Sequence, residues 1–448
     1  MPIIPPNSGP VPAAADGPGR TREARLADRW LALPDVRPGI ANPSTGSHAG
    51  PPLFACRPRR PVRMLMLLLW LLAFPAAAQV RIGVATMLPG EIFFERFGHN
   101  AIVIDDPATG GPVSYNFGFF DLDEPDFTGR FVRGDMRYRL VALPLSQDLA
   151  YYREVGRGVS VQWLDLDQDE AARLAAALAD NARPENAVYR YDYFTDNCST
   201  RVRDALDGAL GGLLRQQLAG RSRGNTFRGD AVRLASPAPW LWLGFDLGLG
   251  PAADRPNALW DDAFVPMRLA DALAGIRRAD GRPLVAATEE LLPHRLPPEP
   301  PEAPRPWWPW LLAGLAIAAG SRLLGQRRPA ALAALALPFW TLAGILGPTM
   351  LFLWGFTEHR FAWANQNLLL LSPLCLLLWP GGWRIARARA PGRLFRAIAW
   401  LVAAGAVLAL FLHWLPVLPQ RNAHWIALLL PIHVALAWAL AGSPSRTA

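Results

Sequence analysis

Tyr189-Arg190-Tyr191-Asp192-Tyr193-Phe194-Thr195-Asp196-Asn197-Cys198-Ser199-Thr200-Arg201 is the stretch on which the fold turns. It sets one cysteine behind an aromatic, polar run and ahead of a segment whose spacing predicts a helix over 200–214. The other cysteines are Cys56, before an apparent signal sequence, and Cys375, inside an apolar run. Cys198 is therefore alone in what reads as an exported, water-soluble domain. Exported domains usually pair their cysteines or avoid them, so a lone thiol points to chemistry. At a helix N-terminus the dipole and the unpaired amides both favour thiolate. The same amides can hold an oxyanion.

A nucleophilic thiol needs a base. After the signal sequence the exported domain offers His99 and His294. His294 stands beside a Pro-rich linker, which leaves His99, at the start of a predicted strand between Gly98 and Asn100. Asn116, on the predicted return strand, is the first candidate to orient His99, with Asp121 and Asp105 as rivals. Asn197, Asp196 and Tyr193 lie next to the thiol and are candidates for the oxyanion site or for orientation. Asp196 serves equally well as a turn or cap residue. The aromatics Phe93, Phe94, Phe117, Phe119 and Phe120 fit either a core or an acyl groove.

The rest of the chain organises around this domain. Residues 1–61 are rich in Pro, Gly and Ala without periodicity, which reads as a disordered leader or an over-extended gene start. Residues 62–78 have the basic, apolar and small-residue regions of a signal peptide. Residues 79–296 form the exported domain, with strands expected at 80–85, 101–104, 113–117 and 160–166 and a helix at 167–181. A Pro-rich linker spans 297–306. Residues 307–442 contain five apolar runs, at 307–324, 330–356, 368–379, 397–415 and 424–441, and 443–448 form a tail. Arginines crowd the loops after the first and third runs, which makes those loops cytoplasmic and the domain before them external. The signal peptide gives the same orientation. Between the second and third runs, His359, Asn365 and Asn367 are polar groups at a membrane entry, and such groups are costly unless used.

The formal net charge is +8, carried entirely by dispersed arginines, with no block that fits nucleic acid. The histidines are scattered and the thiols isolated, so no metal site and no cofactor is implied.

Phe97-Gly98-His99-Asn100, Tyr115-Asn116-Phe117-Gly118 and Tyr191–Asp204 resemble the Lnb family of bacterial lipoprotein N-acyltransferases. So do the five apolar runs and the His359…Asn365-Gln366-Asn367 stretch. The resemblance covers roughly 82–441. It implies an α+β chain: a permuted NlpC/papain-like cysteine domain, in which His precedes Cys, followed by an all-α bundle of five transmembrane helices. It implies catalysis by Cys198 and His99 through a thioester. The acyl donor would be a membrane phospholipid and the acceptor a diacylated apolipoprotein, at the outer face of the bacterial inner membrane. His359, Asn365, Asn367 and Arg201 are candidates for substrate contact, and Arg203 and Arg133 either bind phosphate or pair with acids. A cell-wall cysteine amidase or peptidase and a non-catalytic membrane scaffold are the competing readings.

Overall fold

A computed structural model describes residues 80–107, 110–303, 305–415 and 419–442. The leader, the signal peptide and the C-terminal tail lie outside these residues. Seven antiparallel strands form one sheet in the order β6-β4-β3-β2-β1-β5-β7. They are β1 Arg81–Met87, β2 His99–Asp105, β3 Val113–Phe119, β4 Arg137–Pro144, β5 Val159–Leu164, β6 Val188–Arg190 and β7 Val285–Leu292. The expected strands are all present, and 101–104 with 113–117 do form a hairpin, in which Ala101 pairs with Asn116. Gly98, with φ 76, makes the turn into β2, where a side chain would meet the Met87 carbonyl at 2.9 Å.

Helices cover both faces. In chain order they are α1 Phe127–Arg133, α2 Leu145–Val155, α3 Gln168–Asn181, α4 Cys198–Ala209 and α5 Leu213–Leu218. Then come α6 Phe227–Ala235, α7 Pro239–Gly248, α8 Leu259–Asp262 and α9 Pro266–Gly275. Alternation along the strands divides the core. Val84, Ile102 and Ile104 pack with α3, α4 and α9, whereas Ala85, Ala101 and Val103 pack with Leu145 and Tyr152 of α2. The helix expected at 167–181 begins with a capping box between Asp167 and Glu170. The helix expected at 200–214 starts two residues earlier, at Cys198, and ends at Ala209, because Asn197 and Thr200 form a second capping box.

The C-terminal half is helical: α10 Trp308–Arg327, α11 Pro329–Phe356, α12 Trp379–Ala386, α13 Arg393–His413 and α14 Ala423–Ala441. Among the described residues four segments are long and apolar enough to cross a membrane: Pro329–Phe356, Gln366–Ala386, Arg393–His413 and Ala423–Ala441. This count is one short of the expected five, and the missing segment is the first run. The third run, short in sequence, reaches spanning length by joining two 3₁₀ segments to α12. The first, α10, has 20 residues but is diluted by Trp, Pro, Gly and Arg, and it packs along α14.

The two halves meet through buried polar bonds. Asn365 Nδ2 and Asn367 Nδ2 donate to the Leu247 carbonyl at 2.6 and 3.1 Å. Gln420 and Asn422 donate to the side-chain oxygens of Asn365 and Asn367. Asp246 Oδ2 accepts from His424 Nε2 at 2.7 Å and from Trp425 Nε1 at 3.0 Å. Nearby, buried Arg228 pairs with buried Asp254 at 2.9 Å and donates to the Asp246 and Leu249 carbonyls. Arg228→Met should therefore lower stability by about 3–5 kcal/mol, since buried Asp254 loses its guanidinium partner and keeps only the Arg421 N–H. Arg228→Met with Asp254→Leu should recover most of that loss. Melting of the purified full-length chain in detergent checks this, and a double variant no better than the single refutes it.

Candidate active site

Cys198 is the first residue of α4, and its neighbours fix it. Asn197 Oδ1 accepts from Thr200 N at 2.9 Å, and Asn197 Nδ2 donates to the Tyr193 and Phe264 carbonyls, both at 2.9 Å. Ser199 Oγ lies 2.8 Å from Asn100 Oδ1 and 2.6 Å from the Ala263 carbonyl. Asn100 Nδ2 in turn donates to Thr86 Oγ1 at 2.9 Å. These bonds clamp the first turn of α4 onto β1 and β2. The thiol then meets β2 at its backbone, where the Asn100 N–H points to the sulfur. That amide is available because the β2–β3 pairing runs only from Ile104 to Ala101.

His99, one residue away, is fully buried. Its Nε2 lies 3.0 Å from Asn116 Oδ1 and donates to it, since an amide oxygen can only accept. Asn116 Nδ2 donates to Asp148 Oδ2 of α2 at 2.8 Å. Ser114 Oγ donates to the same oxygen. Asp148, an acceptor when ionised, thus orients the Asn116 amide, and Asn116 fixes the proton of His99 on Nε2. His99 Nδ1 is left as the basic nitrogen; it is buried and has no hydrogen-bond partner. No thiol–imidazole hydrogen bond forms. The bonds to Asn116 and Asp148 draw His99 toward the α2 face, whereas Cys198 joins the core of the α4 face.

The electrostatics correct the expectation of a resting thiolate. Burial raises the Cys198 pKa above its ordinary value, and the nearby Asn100 and Ser199 amides offset this only in part. Burial also holds the His99 pKa well below the ordinary histidine value, against the stabilising bond from Asn116. The helix N-terminus is present, but desolvation outweighs it. Both groups rest neutral, as a protonated thiol and a neutral imidazole.

The other candidates separate. Asn116 reaches His99, whereas Asp121 caps a turn through Asp123 N and Asp105 pairs with Arg81, so neither bonds the ring. Asp196 binds Arg201 through two bonds, and Arg201 also lies over the Tyr189 ring. Arg203 and Arg133 pair with Asp204 and Asp126. The amide hydrogens of Asn197 are spent on carbonyls, which leaves the Asn100 and Ser199 backbone N–H groups as the donors nearest the sulfur. Asn365 and Asn367 are committed to the joint between the halves and line neither large cavity. Their side chains, like that of Arg201, bond within the protein.

Tyr193 and His359 do line a cavity, of about 910 Å³. Its walls include Phe93, Phe94, Phe120, Phe131, Met136 and Tyr138, with residues 190–196 leading to Cys198. His359 stacks on Tyr193, with ring centroids 5.9 Å apart, and its Nε2 donates to the Phe131 carbonyl at 3.0 Å. Phe117 and Phe119 are core residues instead. Ser114, Asn100, Ser199 and Asp148 were not singled out in the sequence. The alternation of Ser114 with Asn116 on one strand face is the one signal that pointed to any of them.

Residues 70–232 match the family described as the Lnb N-terminal periplasmic domain, and residues 305–441 match the Lnb transmembrane domain. No curated protein and no solved structure matches the chain. Alkylation of Cys198 by iodoacetamide, followed by peptide mass spectrometry, should rise with pH with a midpoint above 9.0 and no inflection near 6.5. The sign follows from burial, which keeps the thiol protonated and His99 neutral across that range. A rate that plateaus below neutral pH would mean a resting thiolate.

Proposed function

The chain belongs to the Lnb family, with its periplasmic and transmembrane domains in one polypeptide, and on that premise we propose that it is a lipoprotein N-acyltransferase of the bacterial inner membrane. The observation that carries the reading is the placement of Cys198 at the start of α4, against the strand that bears His99. A large aromatic cavity adjoins the same motif.

In the first half-reaction the Cys198 sulfur attacks the carbonyl carbon of a phospholipid acyl ester. The thiol proton passes to His99 Nδ1 as the C–S bond forms, a step that requires the imidazole to leave its resting place on the α2 face when substrate binds. The Asn100 and Ser199 amides face the charge that develops on the carbonyl oxygen. The C–O bond breaks, the lysophospholipid oxygen takes the proton from His99, and a thioester remains. In the second half-reaction the α-amine of a diacylglyceryl-cysteine attacks the thioester. His99 accepts the amine proton and returns it to the departing sulfur, which leaves an amide and the free enzyme. A buried, water-poor site favours the amine over water. Neutral resting groups suit this sequence, because charge appears only as substrate arrives.

Asn116 and Asp148 hold His99 in the tautomer that can accept the proton, and Tyr193 and His359 line the cavity that adjoins the motif. The apolar lining favours an acyl donor over a cell-wall peptide. The full-length protein incubated with phospholipid should gain one fatty-acyl mass on the Cys198 peptide, removable by hydroxylamine and absent in Cys198→Ala. His99→Ala should slow acylation by about 10²- to 10⁴-fold, the usual worth of a positioned base. Conversion of diacylated lipoprotein to the triacyl form by Cys198→Ala would overturn the mechanism. Release of stem peptides from purified wall would favour the amidase reading.

A further inference from the structure

Helix α7 has its polarity reversed. Its sequence is Pro239-Trp240-Leu241-Trp242-Leu243-Gly244-Phe245-Asp246-Leu247-Gly248, and its one buried side chain is the acid, Asp246. A surface helix in water buries its apolar stripe and exposes its charges. Here the acid turns inward to His424 and Trp425, while Trp240 is 64% exposed. Leu243 and Leu247 pack on the apolar core of the membrane domain, and the Leu247 carbonyl receives Asn365 and Asn367 from its outer loop. The helix therefore lies at the outer end of the transmembrane segments.

Other exposed apolar side chains continue from it. Phe93 is 46% exposed, and its ring centroid is 6.2 Å from that of Trp240. Phe131 and Val132 of α1 are also exposed, and α1 is fixed to the same loop by the bond from Glu358 N to the Arg133 carbonyl at 2.8 Å. Phe356, at the outer end of α11, is exposed beside that loop. The aromatic cavity lies between these parts: Trp240, Leu241 and Phe245 of α7 line it, as do Phe131 of α1 and Leu353 of α11. Exposed apolar side chains of the periplasmic domain thus gather around a cavity that a membrane-crossing helix also lines.

We propose that α7 and the exposed apolar residues of α1 and Phe93 seat the periplasmic domain in the outer leaflet of the bilayer, so that the aromatic cavity opens to lipid rather than to water. The occupant of this face is the bilayer that α11 crosses, since that helix lines the same cavity. An interfacial helix gains from apolar side chains laid into the headgroup–acyl boundary, and tryptophan is favoured there. The Asp246–His424 bond lets the helix lie flat by taking its only charge out of the apolar face. On the acyltransferase reading, a donor chain then passes from leaflet to cavity without crossing water.

The test is depth quenching in the full-length chain. Cys56, Cys198 and Cys375 are replaced by Ser, and a single cysteine is introduced as Trp240→Cys or Val132→Cys, labelled with an environment-sensitive fluorophore and placed in phosphatidylcholine nanodiscs. Lipid carrying a nitroxide high on the acyl chain should quench both labels by more than half, on the contact scale of the interfacial region. A label at Arg183→Cys, in an exposed charged turn, should be quenched little. Equal, weak quenching at all three positions would overturn the proposal and assign the face to a protein partner. Val132 does not line the cavity, so it decides the question if Trp240→Cys fails to fold. The measurement needs no acyl transfer, so loss of the enzymatic reading leaves its outcome intact.

Discussion

The contact between Ser199 and Asn100 is the constraint on which the site depends. One hydroxyl, 2.8 Å from Asn100 Oδ1, ties the first turn of α4 to β2. That tie brings Cys198 to the backbone beside His99, across 99 positions of chain. Both partners are fully buried, so loss of the bond would leave polar atoms without water to replace it. The Asn197–Thr200 capping box adds the local half of the same constraint by fixing where the helix starts. Position and chemistry are therefore set by the same few residues.

A second set of buried polar bonds fixes the periplasmic half to the membrane half. Asp246, Asn365, Asn367 and His424 would be expensive at this depth if unpaired; each bonds a group from the other side of the joint, and Gln420 and Asn422 brace Asn365 and Asn367 from within the membrane half. Directional bonds of this kind specify one arrangement, where apolar contact alone would allow sliding. The cavity inherits that definition, because its walls come from both halves.

Much of this was legible in the sequence, and for local reasons. Strand alternation, the helical spacing at 167–181 and the long apolar runs are near-neighbour signals, and they appear where expected. The pairing of Asn116 with His99 was readable because a hairpin has a fixed register. The bonds of Asn365 and Asn367 to the Leu247 carbonyl were not legible. Polar residues at a membrane entry signal a costly group that must be used, but not whether a substrate or another helix uses it. Asp148 carried no local mark, since a helix residue 32 positions from Asn116 reaches it only across the folded sheet.

By itself the sequence determined the division into an exported α+β domain and an apolar helical half, the lone thiol and its histidine, because composition and periodicity act over a few residues. Tertiary structure alone decided the protonation of that pair. A helix N-terminus favours thiolate, but burial is a property of everything packed around the sulfur, and it is the stronger effect at Cys198. Tertiary structure also decided which face of α7 is inside, because its acid finds its partners in a helix nearly 180 positions away.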